Sequence, residues 1–374
     1  MSKRYNILLL NETSGPGGAE TVLFNIAKNL DRNQFLPRVV LFRPGWFYHF
    51  LVENEIATDI IESSRSWDMP FLLSLIKYCR QYKINLIHAH LPGGNLYGSV
   101  VGKILGLPVI CTFHNEYAMP GASRRFNGIK NFLIRNLASK LVMVAEYMKQ
   151  EYLDNAKFPP EKIITIYNGV SYDEPKEPFD LDAFNKEIDF CEGDFLIANV
   201  ANFRPPKGHL ILIDAAYLVC QAIPKAKFLL IGEEGDGKIK REILGRIEKY
   251  NLQDRIKLLG FRNDISQILK HIDIFLLASI SEGLPMSVVE GMRASRPVVA
   301  TDVGGLSEVV KSGVTGFLTK PGDHQDLAEK LITLLKDQNL RKEMGEKGRE
   351  VAISMFSLDE MISKYQVLYT RLME

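Results

Sequence analysis

Cysteine is scarce. The four in 374 residues (Cys79, Cys111, Cys191 and Cys220) are far apart, and none has a metal-like or redox-like spacing. That excludes a disulfide-stapled secreted fold and a thiolate metal cluster, and points to buried thiols in a reducing compartment. Net charge of one sign is also missing. The formal value is +1, so no whole-chain field draws the protein to nucleic acid. No apolar run approaches the length of a membrane span. Ile7–Leu10, behind Lys3 and Arg4, is too short for a signal-peptide core and continues into a Gly-rich turn. A cytoplasmic location without a spanning anchor is expected. With 46% hydrophobic residues the chain has ample material for a large core, and its length favours two domains.

What is present is alternation. Apolar, β-branched runs ("YNILLL", "PRVVLF", "INLIHA", "PVICTF", "LVMVA", "KIITIY") are separated by helix-like stretches at 18–30, 71–82, 95–106 and 124–138. Continuous apolar strands between helices predict a parallel sheet covered on both faces, the doubly wound α/β layout. Residues 171–194 then carry nine acids against two lysines, which reads as an interdomain linker at 173–194. A second series follows, "FLIANVA", "KFLLIG", "RIKLL", "IDIFLL", "RPVVA" and "TGFLT", and the last segment, from about 358, is a helix with no strand after it. The expected division is 1–172, then 195–357. Open α/β sheets bind ligands at the carboxyl ends of their strands, so the strand-end loops are where chemistry is sought.

The loop "NETSGPGGAET" (11–21) brings flexible backbone and a helix start to such an end, although it lacks the Gly-x-Gly-x-x-Gly spacing of a dinucleotide site. His88 and His90 close "INLIHAH" and His114 follows "PVICTF". His88 and His90 are expected to point to opposite faces of their strand. That counts against a three-histidine metal site and in favour of structural histidines, with His114 the best placed to touch a substrate. In "VANFRPPKGH" (200–209), Arg204 and Lys207 stand before a helix and suit a diphosphate clamp, against the alternative of a solvated basic turn. "IGEEGDGK" (231–238) lacks the terminal residues of a P-loop, and Asp180-Leu-Asp182 matches a metal-binding Asp-x-Asp only formally.

"SEGLPMSVVE" (281–290) holds two glutamates separated by a Gly-Leu-Pro break. Gly283 permits close approach and Pro285 suits a first helical position, so a helix is predicted from 284–285. The free N–H groups within 284–287 would meet a diphosphate lined by Gly283, Leu284, Pro285 and Met286, with Glu282 on sugar hydroxyls and Glu290 on a ribose. The alternative is a helix cap and a surface charge. "TDVGGLSEVV" (301–310) is a further strand, turn and helix start. From Arg124 to Lys140 there is no acid; Arg124, Arg125, Lys130, Arg135 and Lys140 alternate with Phe126, Phe132, Leu133 and Ile134. That surface would suit anionic lipid or a lipid-diphosphate acceptor, and an ordinary solvated domain helix is the alternative.

"SEGLPMSVVEGM", "RPVVATDVGGLSEVV" and "GVTGFL" resemble the donor-site signature of the retaining glycosyltransferase family 4 (group 1 glycosyltransferases). "NETSGPGGAE", "HAH", "FHNEY", "YNGV" and "PKGH" fit in the same order, so the resemblance spans the chain. It implies a GT-B fold: two Rossmann-like doubly wound domains with a deep interdomain cleft, the first for the acceptor and the second for the nucleotide-sugar donor. The last helix (358–374) would cross back to the first domain. It also implies catalysis without metal or cofactor. Lys207 and an arginine would neutralise the departing diphosphate, beside Gly17 and Gly18. Glu282 would hold the donor sugar and Glu290 the ribose, and Glu20, His90, His114 and Asn115 would lie on the sugar and acceptor side. The family's usual arginine is Asn202 here; Arg204 stands two residues on. A UDP-hexose or UDP-N-acetylhexosamine is the implied donor, and a glycan, lipid-linked or small molecule the acceptor. A nucleotide-sugar 2-epimerase and a non-catalytic sugar-nucleotide binder remain the rival readings.

Overall fold

A computed structural model describes residues 4–63, 68–114, 124–171, 178–235 and 237–374, with backbone alone at 124–127. The chain divides into two compact units, Met1–Gly169 with Leu358–Glu374, and Val170–Ser357.

The first unit is built on seven parallel strands: β1 (Tyr5–Asn11), β2 (Phe35–Leu41), β3 (Thr58–Ile60), β4 (Leu86–His90), β5 (Val109–Phe113), β6 (Lys140–Met143) and β7 (Ile163–Thr165). Their order across the sheet is β3-β2-β1-β4-β5-β6-β7. β4 and β5 are buried at every position, as expected of strands with helices on both faces. The chain leaves β1 toward β2 and β3, then returns to the other side at β4. That reversal between β1 and β4 is the switch point, where strand-end loops part and leave room for a ligand.

The C-terminal helix Leu358–Met373 is part of this unit. Tyr365 and Tyr369 are fully buried in it, Gln366 Oε1 accepts from Asp31 N at 2.7 Å, and the Tyr369 ring packs edge-on to Phe35 at 5.7 Å. Burying side chains of this size contributes roughly 1.5–3 kcal/mol each.

The second unit has six parallel strands: β8 (Phe195–Val200), β9 (Ala226–Ile231), β10 (Ile256–Gly260), β11 (Ile274–Leu277), β12 (Val298–Thr301) and β13 (Gly316–Thr319). Their order is β10-β9-β8-β11-β12-β13, so the switch point lies between β8 and β11. These two strands pair only through Ile197–Ile274 and Ala198–Phe275. Beyond that point the Asn199 side chain takes over, donating to Leu276 O at 2.9 Å.

Residues 178–194, expected within a linker, are folded into the second unit. Asp180 caps the helix Leu181–Glu187 by accepting from Ala183 N at 2.9 Å, which gives this half of the Asp-x-Asp a structural role. Glu187 pairs with Arg262 at 2.9 Å, Asp189 with Lys257 at 2.6 Å, and buried Asp194 with buried Lys227 at 3.2 Å. Three of the acids read as part of an interdomain linker thus pair with cations of the second unit. Residues 173–177 of the expected linker lie outside the described residues.

Candidate active site

Three strand-end loops of the second unit lock together at its switch point. After β8 the chain makes a short turn, Pro205–Lys207, closed by Gly208. Gly208 has a φ of 66°, and a Cβ there would stand 1.9 Å from Ala278 O. Only glycine allows the turn to sit this close on the end of β11. Ile280 N donates to Pro206 O at 2.7 Å across the same junction. Gly305 N, in the loop after β12, donates to Gly283 O at 2.9 Å, and the Thr301 hydroxyl donates to Ser279 O at 2.5 Å.

This docking brings Lys207 onto Glu282. Nζ lies 2.7 Å from Oε1 and 2.8 Å from Oε2, and the Ser279 hydroxyl donates to Oε1 at 2.6 Å. The Glu282 side chain is 6% exposed and that of Lys207 29%. An almost buried carboxylate thus holds a cation whose outer face stays open to solvent. Such a lysine is held in place, because a buried carboxylate needs its partner and fixes its position.

The helix expected from 284–285 begins at Met286 and runs to Arg293, with Pro285 just outside it. No side chain caps its first turn, so the leading amides keep their donor capacity. Gly283, Leu284 and Pro285 are buried against the neighbouring loops, while Met286 is half-buried. Glu290 lies one turn into the helix and is half-buried. Desolvation pushes its carboxyl up to about 7, against a lowering by Arg293.

Arg204 is not drawn into the Lys207–Glu282 cluster. Its side chain is 61% exposed and meets Glu233 at 3.8 Å, an exposed pair worth little. Asn202, which stands where the resemblance expects an arginine, accepts from Glu233 N at 3.0 Å.

The first unit gathers a second set of groups at the ends of β1, β4 and β5. His88 and His90 share one face of β4, with ring centroids 4.4 Å apart. The expectation of opposite faces was wrong: successive residues alternate, so residues two apart point the same way. His88 Nδ1 meets the Tyr369 hydroxyl at 2.6 Å and its Nε2 the Thr112 hydroxyl at 2.7 Å. His90 Nδ1 shares a hydrogen bond with His114 Nε2 at 3.0 Å. Burial pushes all three imidazoles down, His88 to about 3, His114 to about 4 and His90 well below its usual range. All three are neutral at physiological pH. Among the described residues no group of three or more His, Cys, Asp or Glu is arranged to hold a metal ion.

Glu20, expected on the sugar side, is buried. It accepts from Asn11 Nδ2 at 3.2 Å and from the Thr13 hydroxyl, and so ties the 11–21 loop to its own strand. Gly17 lies directly under that carboxylate: a Cβ there would come 2.6 Å from Glu20 Oε2. Gly18 faces open space and starts the helix Gly18–Asn29. Asn115 lies outside the described residues.

Sequence reasoning missed Ser279, Thr301, Asn199 and Glu12. Glu12 Oε2 accepts from Gly93 N at 3.0 Å across the β1–β4 switch point, and burial raises its pKa against Gly93, Lys130 and Arg43. Its position in a strand-end loop was the available signal.

Two doubly wound, all-parallel units make the fold class that of the GT-B glycosyltransferases. Anabaena HepE, solved in complex with UDP and glucose, superposes with a TM-score of 0.88 at 26% identity, over 98% of this chain and 100% of that one. Family models match in two pieces, "Glycosyltransferase Family 4" over residues 16–174 and "Glycosyl transferases group 1" over 181–351. An uncharacterized glycosyltransferase of Methanocaldococcus jannaschii is 34% identical over 77% of this chain and 76% of its own length. The UDP-Gal:alpha-D-GlcNAc-diphosphoundecaprenol alpha-1,3-galactosyltransferase of Escherichia coli is 25% identical over 81% of this chain and 79% of its own. The chain belongs to the group 1 glycosyltransferases, family 4, and is a glycosyltransferase.

Proposed function

We propose that this protein transfers a hexose or N-acetylhexosamine from a UDP-sugar to a glycan, lipid-linked or small-molecule acceptor, with retention at the anomeric carbon and without a metal. The observation that carries this reading is the Lys207–Glu282 pair at the β8/β11 switch point, beside the uncapped start of the helix Met286–Arg293. The amides of that helix and Lys207 suit the diphosphate. Glu282, anchored by Ser279, suits the hydroxyls of the sugar, and Glu290, within the helix, suits a ribose diol. The UDP and glucose bound in HepE support a UDP-sugar donor. The diphosphoundecaprenol-linked acceptor in the name of the Escherichia coli relative supports a lipid-linked acceptor and a place in cell-surface polysaccharide or glycolipid synthesis.

In the reaction the bond from the anomeric carbon to the diphosphate oxygen breaks and the acceptor oxygen bonds to the same face. The acceptor proton passes to the departing phosphate oxygen, so no protein base is needed. The protein contributes position and charge neutralisation.

The test is incubation with a panel of UDP-sugars and acceptors, with and without EDTA. Acceptor-dependent UDP release, an unchanged rate in EDTA and an α-linked product from an α-linked donor are expected. Isomerised UDP-sugar without acceptor would make it an epimerase, and an inverted product would remove the retaining mechanism.

Peripheral membrane contact belongs to the same reading. No helix among the described residues is long and apolar enough to cross a membrane. On the helix Arg124–Leu137, Ile129 and Phe132 are each 54% exposed, whereas Ile134 is buried. Arg135 and Lys140 donate to the carbonyls of Ala156 and Glu161, which reduces the basic surface left for lipid. Flotation with vesicles containing phosphatidylglycerol is expected to carry the protein upward at low salt and less so at high salt. No binding at low salt would end the membrane proposal.

A further inference from the structure

The hydrogen bond between His90 and His114 has a proton arrangement that burial decides. The two residues stand at the ends of neighbouring parallel strands, β4 and β5. Their rings stack at 5.3 Å with planes 21° apart, and His90 Nδ1 lies 3.0 Å from His114 Nε2. Below them His88 forms a floor at 4.4 Å from His90, itself fixed by Tyr369 and Thr112. Both His90 and His114 are neutral, so each carries one N–H and one lone pair.

Two arrangements satisfy the bond. If His114 donates from Nε2, His90 must keep its own proton on Nε2. That atom is buried and has no hydrogen-bond partner among the described residues. If His90 donates from Nδ1, its Nε2 is a bare lone pair, and His114, accepting at Nε2, must carry its proton on Nδ1. An orphaned buried N–H is rarer and costlier than an under-used acceptor. The second arrangement is therefore favoured.

We propose that His90 is a positioning residue that fixes His114 as its Nδ1–H tautomer, so that His114 offers a neutral N–H donor to a sugar hydroxyl oxygen and does not act as a base. The ligand rests on the glycosyltransferase reading; the tautomer does not. An invariant tautomer needs a donor at the position of His90 Nδ1, which an asparagine amide approximates and a leucine lacks.

The tautomer is read directly by long-range 1H–15N correlation on histidine-labelled protein at pH 7, without substrate. His114 is expected to show a protonated Nδ1 and a lone-pair Nε2. A protonated Nε2, or an imidazolium, overturns the proposal. In transfer assays His90→Asn is expected to stay within about threefold of wild-type kcat, while His90→Leu loses about tenfold with KM for the UDP-sugar unchanged. Equal losses in the two variants would mean that His90 acts only through packing. Should His90→Leu fail to fold, the spectra of wild type and His90→Asn decide the matter. A chain inactive on every UDP-sugar would leave the spectrum intact as a test.

Discussion

Lys207→Ala is expected to lower kcat for sugar transfer by about 10²–10³-fold, with KM for the UDP-sugar within a few-fold of wild type. The split follows from where charge develops. On the proposed reading the ground-state diphosphate already carries its charge and would be met by the amides leading the helix Met286–Arg293, which no side chain caps. The charge added on bond cleavage falls on the departing oxygen, and a group that answers only this added charge acts on kcat. Lys207 is suited to it because Glu282 holds its Nζ at 2.7 and 2.8 Å from the two carboxylate oxygens. A variant retaining most of its kcat at saturating donor would remove Lys207 from the mechanism.

The same substitution strands Glu282, and stability separates the two effects. Breaking a fully buried pair costs about 3–5 kcal/mol, but solvent reaches Lys207, so about 1–2 kcal/mol is expected here. Glu282→Gln in the Lys207→Ala background removes the unpaired charge. The double variant should recover most of the lost thermal stability and none of the lost kcat. Recovery of both would show that Lys207 serves the fold alone.

The Lys207–Glu282 pair also marks the limit of what the sequence discloses. Strand burial is a local property: "YNILLL" and "PVICTF" carry it in their own residues, and both are strands. β3, Thr58–Ile60, was missed because three half-buried residues at a sheet edge leave too short an apolar signal. The pair joins loops 75 residues apart, and nothing in either loop says that β8 and β11 are neighbours. The family resemblance named both residues but gave them separate partners in a ligand. Their mutual contact follows from strand order and from Gly208 docked on Ala278. The paired acids of 178–194 failed for the same reason, since their cations Lys227, Lys257 and Arg262 lie on distant strands and loops. His88 and His90 are a different case. Their common face was legible from the two-residue period of a strand, and the error lay in applying it.

Affinity for UDP-glucose is expected to rise with pH through about 7 and to level off above it, because the role proposed for Glu290, accepting from both hydroxyls of a ribose diol, is filled by the ionised carboxylate. Desolvation lifts this carboxyl to about 7, so in the free protein it is protonated below that pH. A ligand that favours the carboxylate then loses up to about tenfold in affinity per pH unit below 7. UDP-glucose is the right probe, since its diphosphate is esterified at both ends and takes up no proton in this range. His209, beside the Lys207 turn, is held at about 4 by burial and adds no slope. Folding has the opposite sign. The native state keeps a proton that the unfolded chain releases between the ordinary carboxyl value and 7, so this group's contribution to stability falls as pH rises through that window. Glu290→Gln should bind about 10–100-fold more weakly at pH 8 and show no slope from pH 5.5 to 8. Calorimetry on both proteins reads the two effects together. A wild-type affinity that is flat across pH 7, or a slope that survives in Glu290→Gln, would take the ribose away from Glu290.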